Sequence, residues 1–161
     1  MINFIARLFA RGEPVLSDAT AREAEAIATL HAASFRRGWS EHEIEELLVD
    51  RHVIAHRATI GGKLIAFVIS RLVEDEAEIL SIAVAGSRQR RGLAGKLLNL
   101  HLRRLAAFGA RAVFLEVDEH NSPAMRLYTQ AGFNEVGRRA NYYAAPDAKP
   151  AAALVLRRDL V

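Results

Sequence analysis

Residues 88–105 read RQRRGLAGKLLNLHLRRL, and the reading of the fold turns on this stretch. The run Glu78-Ile-Leu-Ser-Ile-Ala-Val84 precedes it, so an apolar strand leads into a basic, glycine-bearing turn and then a helix. Ala94, Leu97, Leu98, His101, Leu102 and Leu105 recur at three- and four-residue steps, the stripe of a helix with one buried face. A helix that opens in a glycine turn aims several unpaired backbone N–H groups, and the positive end of its dipole, at one spot. Such a spot binds phosphate oxygens. Seven Arg or Lys and no Asp or Glu lie between Ile79 and Arg111, so the local field also favours a polyanion. Gly92 allows close backbone approach and Ala94 keeps side-chain bulk away. The same residues also fit an ordinary strand–loop–helix connection with a solvated basic loop, since the GxxxxGK[ST] phosphate loop is absent.

Downstream, Gly109 stands where a C′ residue ends the helix, and Arg111–Val117 (RAVFLEV) is a short apolar strand. A strand, a helix and another strand in succession predict parallel pairing. Asn121 or Ser122 caps a further helix, with Pro123 in its first turn and Gly132 closing it. Phe133–Arg138 and Ala152–Arg158 are candidate last strands, joined by a Pro- and Ala-rich loop at 144–150.

Upstream, Thr20-x-x-Glu23 and Ser40-x-x-Glu43 are capping boxes, each opening a helix. Trp39 lies between those helices beside Phe35, either closing an edge of the core or forming an apolar wall for a substrate. His52–Thr59 and Lys63–Leu72 flank Gly61-Gly62, a two-residue hairpin signal, and Ala77–Val84 adds a third antiparallel strand. The expected product is an α/β domain with a mixed sheet, helices on both faces and one phosphate-binding turn at its middle.

Composition narrows the function. A chain of 161 residues with 51% apolar and 25% charged content is globular and suits one domain over 1–161, with 1–13 as an N-terminal arm. Without cysteine there is no disulfide, thiol nucleophile or thiolate metal site, and the six histidines form no HExxH pattern, so no metal is expected. His52 and His56 are expected to share one face of a strand in structural or solvated roles. The net charge of +3 is unevenly spread, with acidic runs at 41–50 and 74–78 against the basic 88–111. That is not the continuous basic face of a nucleic-acid binder, and its basic cluster lacks interleaved aromatics for base stacking. No apolar run approaches the length of a membrane span, and Met1–Phe9 makes a poor signal peptide. A cytoplasmic monomer is the expectation.

Two further residues suggest chemistry. Glu116 interrupts an apolar strand, and a buried carboxylate costs several kcal/mol unless it is paired, hydrated or used; it also fits a strand-end acid reaching solvent. Tyr128, on the following helix, taken by itself reads first as a core tyrosine with a satisfied hydroxyl.

Gln89-x-x-Gly92-x-Ala94 after Ile82-Ala-Val84 resembles the acyl-CoA pyrophosphate loop of the GCN5-related N-acetyltransferases. Leu115–Phe133, LEVDEHNSPAMRLYTQAGF, resembles the LEVR-x-x-N-x-x-A-x-x-LY-x-x-x-GF signature of the RimI group, the bacterial ribosomal-protein alanine N-acetyltransferases. The resemblance runs from about Leu30 to Leu160 and includes Trp39-Ser40 and Asn141-Tyr-Tyr143. It implies a mixed, mostly antiparallel sheet of six to seven strands with about four helices and a splayed central strand pair. It implies acetyl-CoA as the donor, held by Ile82, Ala83, Val84, Gln89, Arg90, Arg91, Gly92, Leu93, Ala94, Gly95 and Asn121. Glu116 would be the general base and Tyr128 the general acid, with Phe35, Trp39, Tyr142 and Tyr143 shaping the slot of the acceptor. That acceptor would be a protein N-terminal peptide, the N-terminal alanine of a small-subunit ribosomal protein; a small-molecule amine, a lysine side chain or a non-catalytic acyl-CoA-binding module are the alternatives. The chain departs from the signature in Asp118 for the Arg of LEVR and Ala94 for a second glycine. Its last strand also lacks the acidic residue and methionine often found there.

Overall fold

The computed structural model describes residues 12–141 and 150–161; the expected N-terminal arm up to residue 11, Tyr142, Tyr143 and most of the Pro- and Ala-rich loop lie outside the described residues. Seven strands form one sheet: β1 (Val15–Asp18), β2 (Val53–Ile60), β3 (Lys63–Val73), β4 (Glu76–Val84), β5 (Ala112–Asp118), β6 (Asn134–Arg139) and β7 (Ala153–Asp159). Their order is β1-β2-β3-β4-β5-β7-β6, antiparallel throughout except for the β4–β5 pair. Four helices cover it: α1 (Ala24–Ser34), α2 (Glu41–Val49), α3 (Leu93–Ala107) and α4 (Ser122–Gln130).

Local chemistry accounts for most boundaries. Both capping boxes form. Thr20 opens a 3₁₀ turn, Ala21–Glu23, that leads into α1, and Ser40 Oγ accepts from the Glu43 amide at 3.1 Å to start α2. Gly61 and Gly62, with φ of 57° and 80°, make the turn from β2 to β3, a conformation that side-chain-bearing residues resist. Asn121, rather than Ser122, caps α4. The expected strand at His52 begins one residue later, because Asp50 Oδ1 accepts from the His52 amide at 2.8 Å and holds that residue in a turn. His52 and His56 therefore do not share a strand face. His56 alone is in β2, and it is buried.

The sheet separates two apolar clusters. Leu97, Leu98 and Leu105 of α3 pack on Val113, Leu115 and Val117 of β5 and on Tyr128 of α4. On the other face Ile27 of α1 and Ile44 of α2 pack on Phe67 and Ile69 of β3 and Ala83 of β4.

One irregularity positions the site. Ile69 pairs with Ser81 while the next residue, Ser70, pairs with Ile79, so Leu80 is an extra residue in β4. A bulge of this kind bends its strand and strengthens the twist. The parallel β4–β5 ladder contains only Glu76↔Ala112, Ala77↔Val113 and Glu78↔Phe114, ending just before Leu80. Beyond that point β4 and β5 diverge, and β5 continues to Asp118 paired only with β7.

Candidate active site

Where the strands part, β4 has an open edge. The Ala85 amide donates to the Ile65 carbonyl of β3 at 2.8 Å. Alternation along an antiparallel strand then turns the Ala83 groups toward β3 and those of Ile82 and Val84 toward the gap. The Val84 carbonyl accordingly accepts not from a strand but from the Gln89 side-chain amide, at 3.0 Å. Gln89 thus ties the basic turn to the end of β4, and its side chain is engaged inside the protein rather than offered to a ligand.

The turn itself leaves a cradle. Arg90 has φ 62° and Gly92 has φ 76°, and Gly92 caps α3 with no side-chain hydrogen bond. Lys96 N–H reaches back to the Gly92 carbonyl at 3.1 Å, so the ladder of α3 begins there and the amides of its first turn point out beyond the helix end. A Cβ built on Gly92 or Gly95 would meet nothing within 4 Å. Uncapped amides, the positive end of a fifteen-residue helix and open space above two glycines suit a diphosphate. The neighbouring strand edge suits an extended amide-bearing arm. Leu93 is buried and supplies an amide only, while Ala94 packs against the core below. Asn121 Oδ1 accepts from the Ala124 amide at 3.2 Å, so its oxygen is committed to the helix cap.

Glu116 and Tyr128 stand on opposite faces of the sheet. Leu115 belongs to the core beneath α3, so Glu116 turns to the face of α1 and α2. Its side chain is 26% exposed and its Oε1 pairs with Arg139 of β6 at 3.0 Å; Oε2 has no partner among the described residues. Asp118, where the signature has an arginine, accepts from the His120 amide at 2.8 Å and so shapes the turn into α4. Tyr128 is 7% exposed, stands edge-on to Phe133 with ring centres 5.7 Å apart, and burial pushes its hydroxyl up to about 12.

Phe35 and Trp39 meet on a residue the sequence did not single out. Both rings lie 4.4 Å from that of the buried His31, whose Nδ1 accepts from the Trp39 amide at 3.1 Å. An accepting Nδ1 requires the neutral ring, and burial holds His31 below the usual imidazole range against the pull of Glu43. Trp39 therefore closes the core edge on one side. On the other it lines, with Glu43, Glu46, Leu47, Asp50 and Arg71, an open acidic pocket of about 400 Å³. Phe35 stays 39% exposed and is not among the residues that line the pocket. Among the described residues no helix is long and apolar enough to cross a membrane, and no cluster of three His, Asp or Glu could hold a metal ion.

Residues 24–133 match the sequence model described as Acetyltransferase (GNAT) family. The chain belongs to that family. It is an acetyltransferase, and acetyl-CoA is its donor. The [ribosomal protein bS18]-alanine N-acetyltransferase of Escherichia coli (strain K12) is 36% identical over 117 residues, which are 73% of this chain and 78% of that protein. The crystal structure of the ribosomal-protein-S18-alanine N-acetyltransferase from Escherichia coli superposes with a TM-score of 0.85 at 29% identity, covering 92% of this chain and 94% of that one. Arabidopsis thaliana NAA60, in complex with acetyl-CoA, shares the fold at 19% identity with a TM-score of 0.80, covering 91% of this chain and 98% of that one. The seven-stranded sheet, its four helices and the splayed central pair agree with the fold expected from the resemblance.

Proposed function

We propose that this GNAT enzyme acetylates the N-terminal α-amine of a protein, foremost the N-terminal alanine of a small-subunit ribosomal protein, in the cytoplasm where ribosomes are. The observation that carries the reading is the relation to the Escherichia coli enzyme of that name, 36% identical across 73% of this chain. The acidic pocket beside Trp39 supports it, since a ribosomal peptide is rich in basic residues and a field of that sign would draw it in.

Bound acetyl-CoA supplies an acyl group activated as a thioester. The residues of this chain do the rest. The amides of residues 90 to 95 hold the diphosphate and the open edge of β4 at Ile82 and Val84 holds the arm. A protein N-terminal amine has a pKa of about 8 and is mostly protonated at neutral pH. Glu116 takes that proton on Oε2, directly or through water, while Arg139 fixes Oε1. The N–H of Ile82 faces the negative charge that develops on the acyl oxygen, and the N–H of Val84, one strand repeat further on, is left for the arm. Tyr128 keeps its proton throughout the working range, because burial alone raises its pKa, and gives it to or shares it with the departing thiolate.

The test uses an alanine-starting ribosomal peptide, its pre-acetylated form and free polyamines, with products read by mass. One added acetyl group on the unblocked peptide alone is the expected result; turnover only on polyamines would favour a small-amine enzyme, and coenzyme binding without transfer a binding module. Tyr128→Phe is expected to lower kcat by about 10²-fold, the low end for a general acid, because a thiolate with a parent pKa of about 8.5 leaves without full protonation. Coenzyme Kd should not move. An unchanged kcat would remove Tyr128 from the reaction.

A further inference from the structure

Among the described residues one buried side-chain polar atom is left without a partner. Ser81, on β4, is 7% exposed, and its Oγ is the one buried side-chain nitrogen or oxygen among the described residues with no hydrogen bond. An unpaired buried hydroxyl is costly to keep, and the neighbouring apolar residues would accommodate alanine. Its position is informative. Ser81 is the first residue after the extra Leu80, where β4 has left β5. Its cross-strand partner Ile69 belongs to the core beneath α1 and α2, so the Ser81 side chain turns to that same face. Glu116 turns to it as well. The two side chains therefore stand on one face of the sheet, on the two strands that border the gap. The residue is not wholly enclosed, and rotation about Cα–Cβ carries the oxygen between three staggered positions.

A serine hydroxyl is satisfied only by giving one hydrogen bond and accepting another. A lysine side chain or a polyamine offers N–H donors near its reacting nitrogen and no acceptor. A peptide N-terminus offers both, an amine and, two bonds along, the carbonyl of its first residue. We infer that Ser81 is a specificity-determining contact for the acceptor, its hydroxyl donating to the first carbonyl of the peptide and accepting from the amine that Glu116 deprotonates. The inference rests on the N-terminal reading above and deepens it. It gives β4 a second role: backbone toward the coenzyme, one side chain toward the acceptor.

The experiment compares wild type, Ser81→Ala and Ser81→Thr on an alanine-starting peptide and on an analogue whose first carbonyl is replaced by a methylene. Removing one partner of a buried hydrogen bond corresponds to about a 10- to 100-fold effect. Ser81→Ala should lose that factor in kcat/KM on the peptide and keep wild-type acetyl-CoA Kd, with a Tm equal or higher. On the analogue, whose amine is more basic, both enzymes should share one loss, and wild type should lose a further similar factor that Ser81→Ala does not. Ser81→Thr, which keeps the hydroxyl, should restore peptide activity. Ser81→Ala activity within twofold of wild type on the peptide would overturn the assignment while leaving the N-terminal reading intact. Equal losses by both enzymes on the analogue would do the same. A wild-type enzyme that leaves the peptide untouched would defeat the N-terminal reading, and this inference with it.

Discussion

Glu116→Gln is expected to lower kcat/KM for an alanine-starting peptide by about 10²–10⁴-fold, with acetyl-CoA binding unchanged. The substitution keeps the shape of the side chain and its hydrogen-bonding reach to Arg139, and it removes only the ability to hold a proton. Because Oε1 already pairs with Arg139 at 3.0 Å, the carboxamide oxygen can take that place and the fold should not respond. The defect should also shrink as the assay pH rises. Above pH of about 8 the free amine predominates without help, so the variant gains on wild type by up to tenfold per pH unit until the amine is fully deprotonated. This pH signature separates a base from a residue that only positions the peptide. A variant that retained wild-type kcat/KM at pH 7, or whose deficit did not narrow between pH 7 and pH 9, would exclude Glu116 as the base.

The route from sequence to this site was uneven for physical reasons. Short-range signals held: two capping boxes, the Gly61-Gly62 turn, the Gly92 helix start and Gly109 with φ 99° at the end of α3. Each depends on residues a few positions apart, so the chain itself carries the information. What escaped was long-range. β1 is four residues long and exists because it pairs with β2 some forty positions later. β7 inserts between β5 and β6 although it follows both in sequence. The extra Leu80 changes no local pattern, yet it ends the β4–β5 ladder and opens the gap. At the site, the motif spacing picked out Glu116 and Tyr128. It did not reveal that Arg139 pairs with the first, that Gln89 and Asn121 spend side-chain groups on the protein's own backbone, or that His31 joins Phe35 and Trp39. Partners of that kind become visible only once strands and helices are assembled.

A second large effect is expected in stability, not catalysis: the protein should lose on the order of 3 kcal/mol between pH 7.5 and pH 4.5 through buried histidines alone. His101 of α3 and His56 of β2 meet Nδ1 to Nδ1 at 2.7 Å; His101 Nε2 lies 2.6 Å from Ser70 Oγ, and His56 Nε2 lies 3.3 Å from the exposed Asp18. With both rings neutral, one assignment of hydrogens satisfies every contact: Ser70 donates to His101 Nε2, His101 Nδ1–H donates to His56, and His56 Nε2–H donates to Asp18. A proton added to either ring would require its neighbour to reverse the direction of its hydrogen bond, in a site where burial already opposes the charge. Burial, reinforced by His56, lowers His101 to about 3, and burial also lowers His56 against the pull of Asp18, with Arg104 acting in the same downward direction. The unfolded chain titrates near the ordinary imidazole value of about 6.5. Between that pH and about 3 it binds more protons than the folded protein, so stability is fully present above the unfolded value and falls as pH drops through the window. Urea midpoints of wild type and His101→Gln at pH 7.5 and pH 4.5 check this, with exposed carboxylates common to both proteins. The variant should be weaker at pH 7.5 by about 1–3 kcal/mol, the cost of disturbed buried hydrogen bonds, but should lose about 2 kcal/mol less on acidification. Parallel losses in the two proteins would mean that the acid sensitivity arises elsewhere.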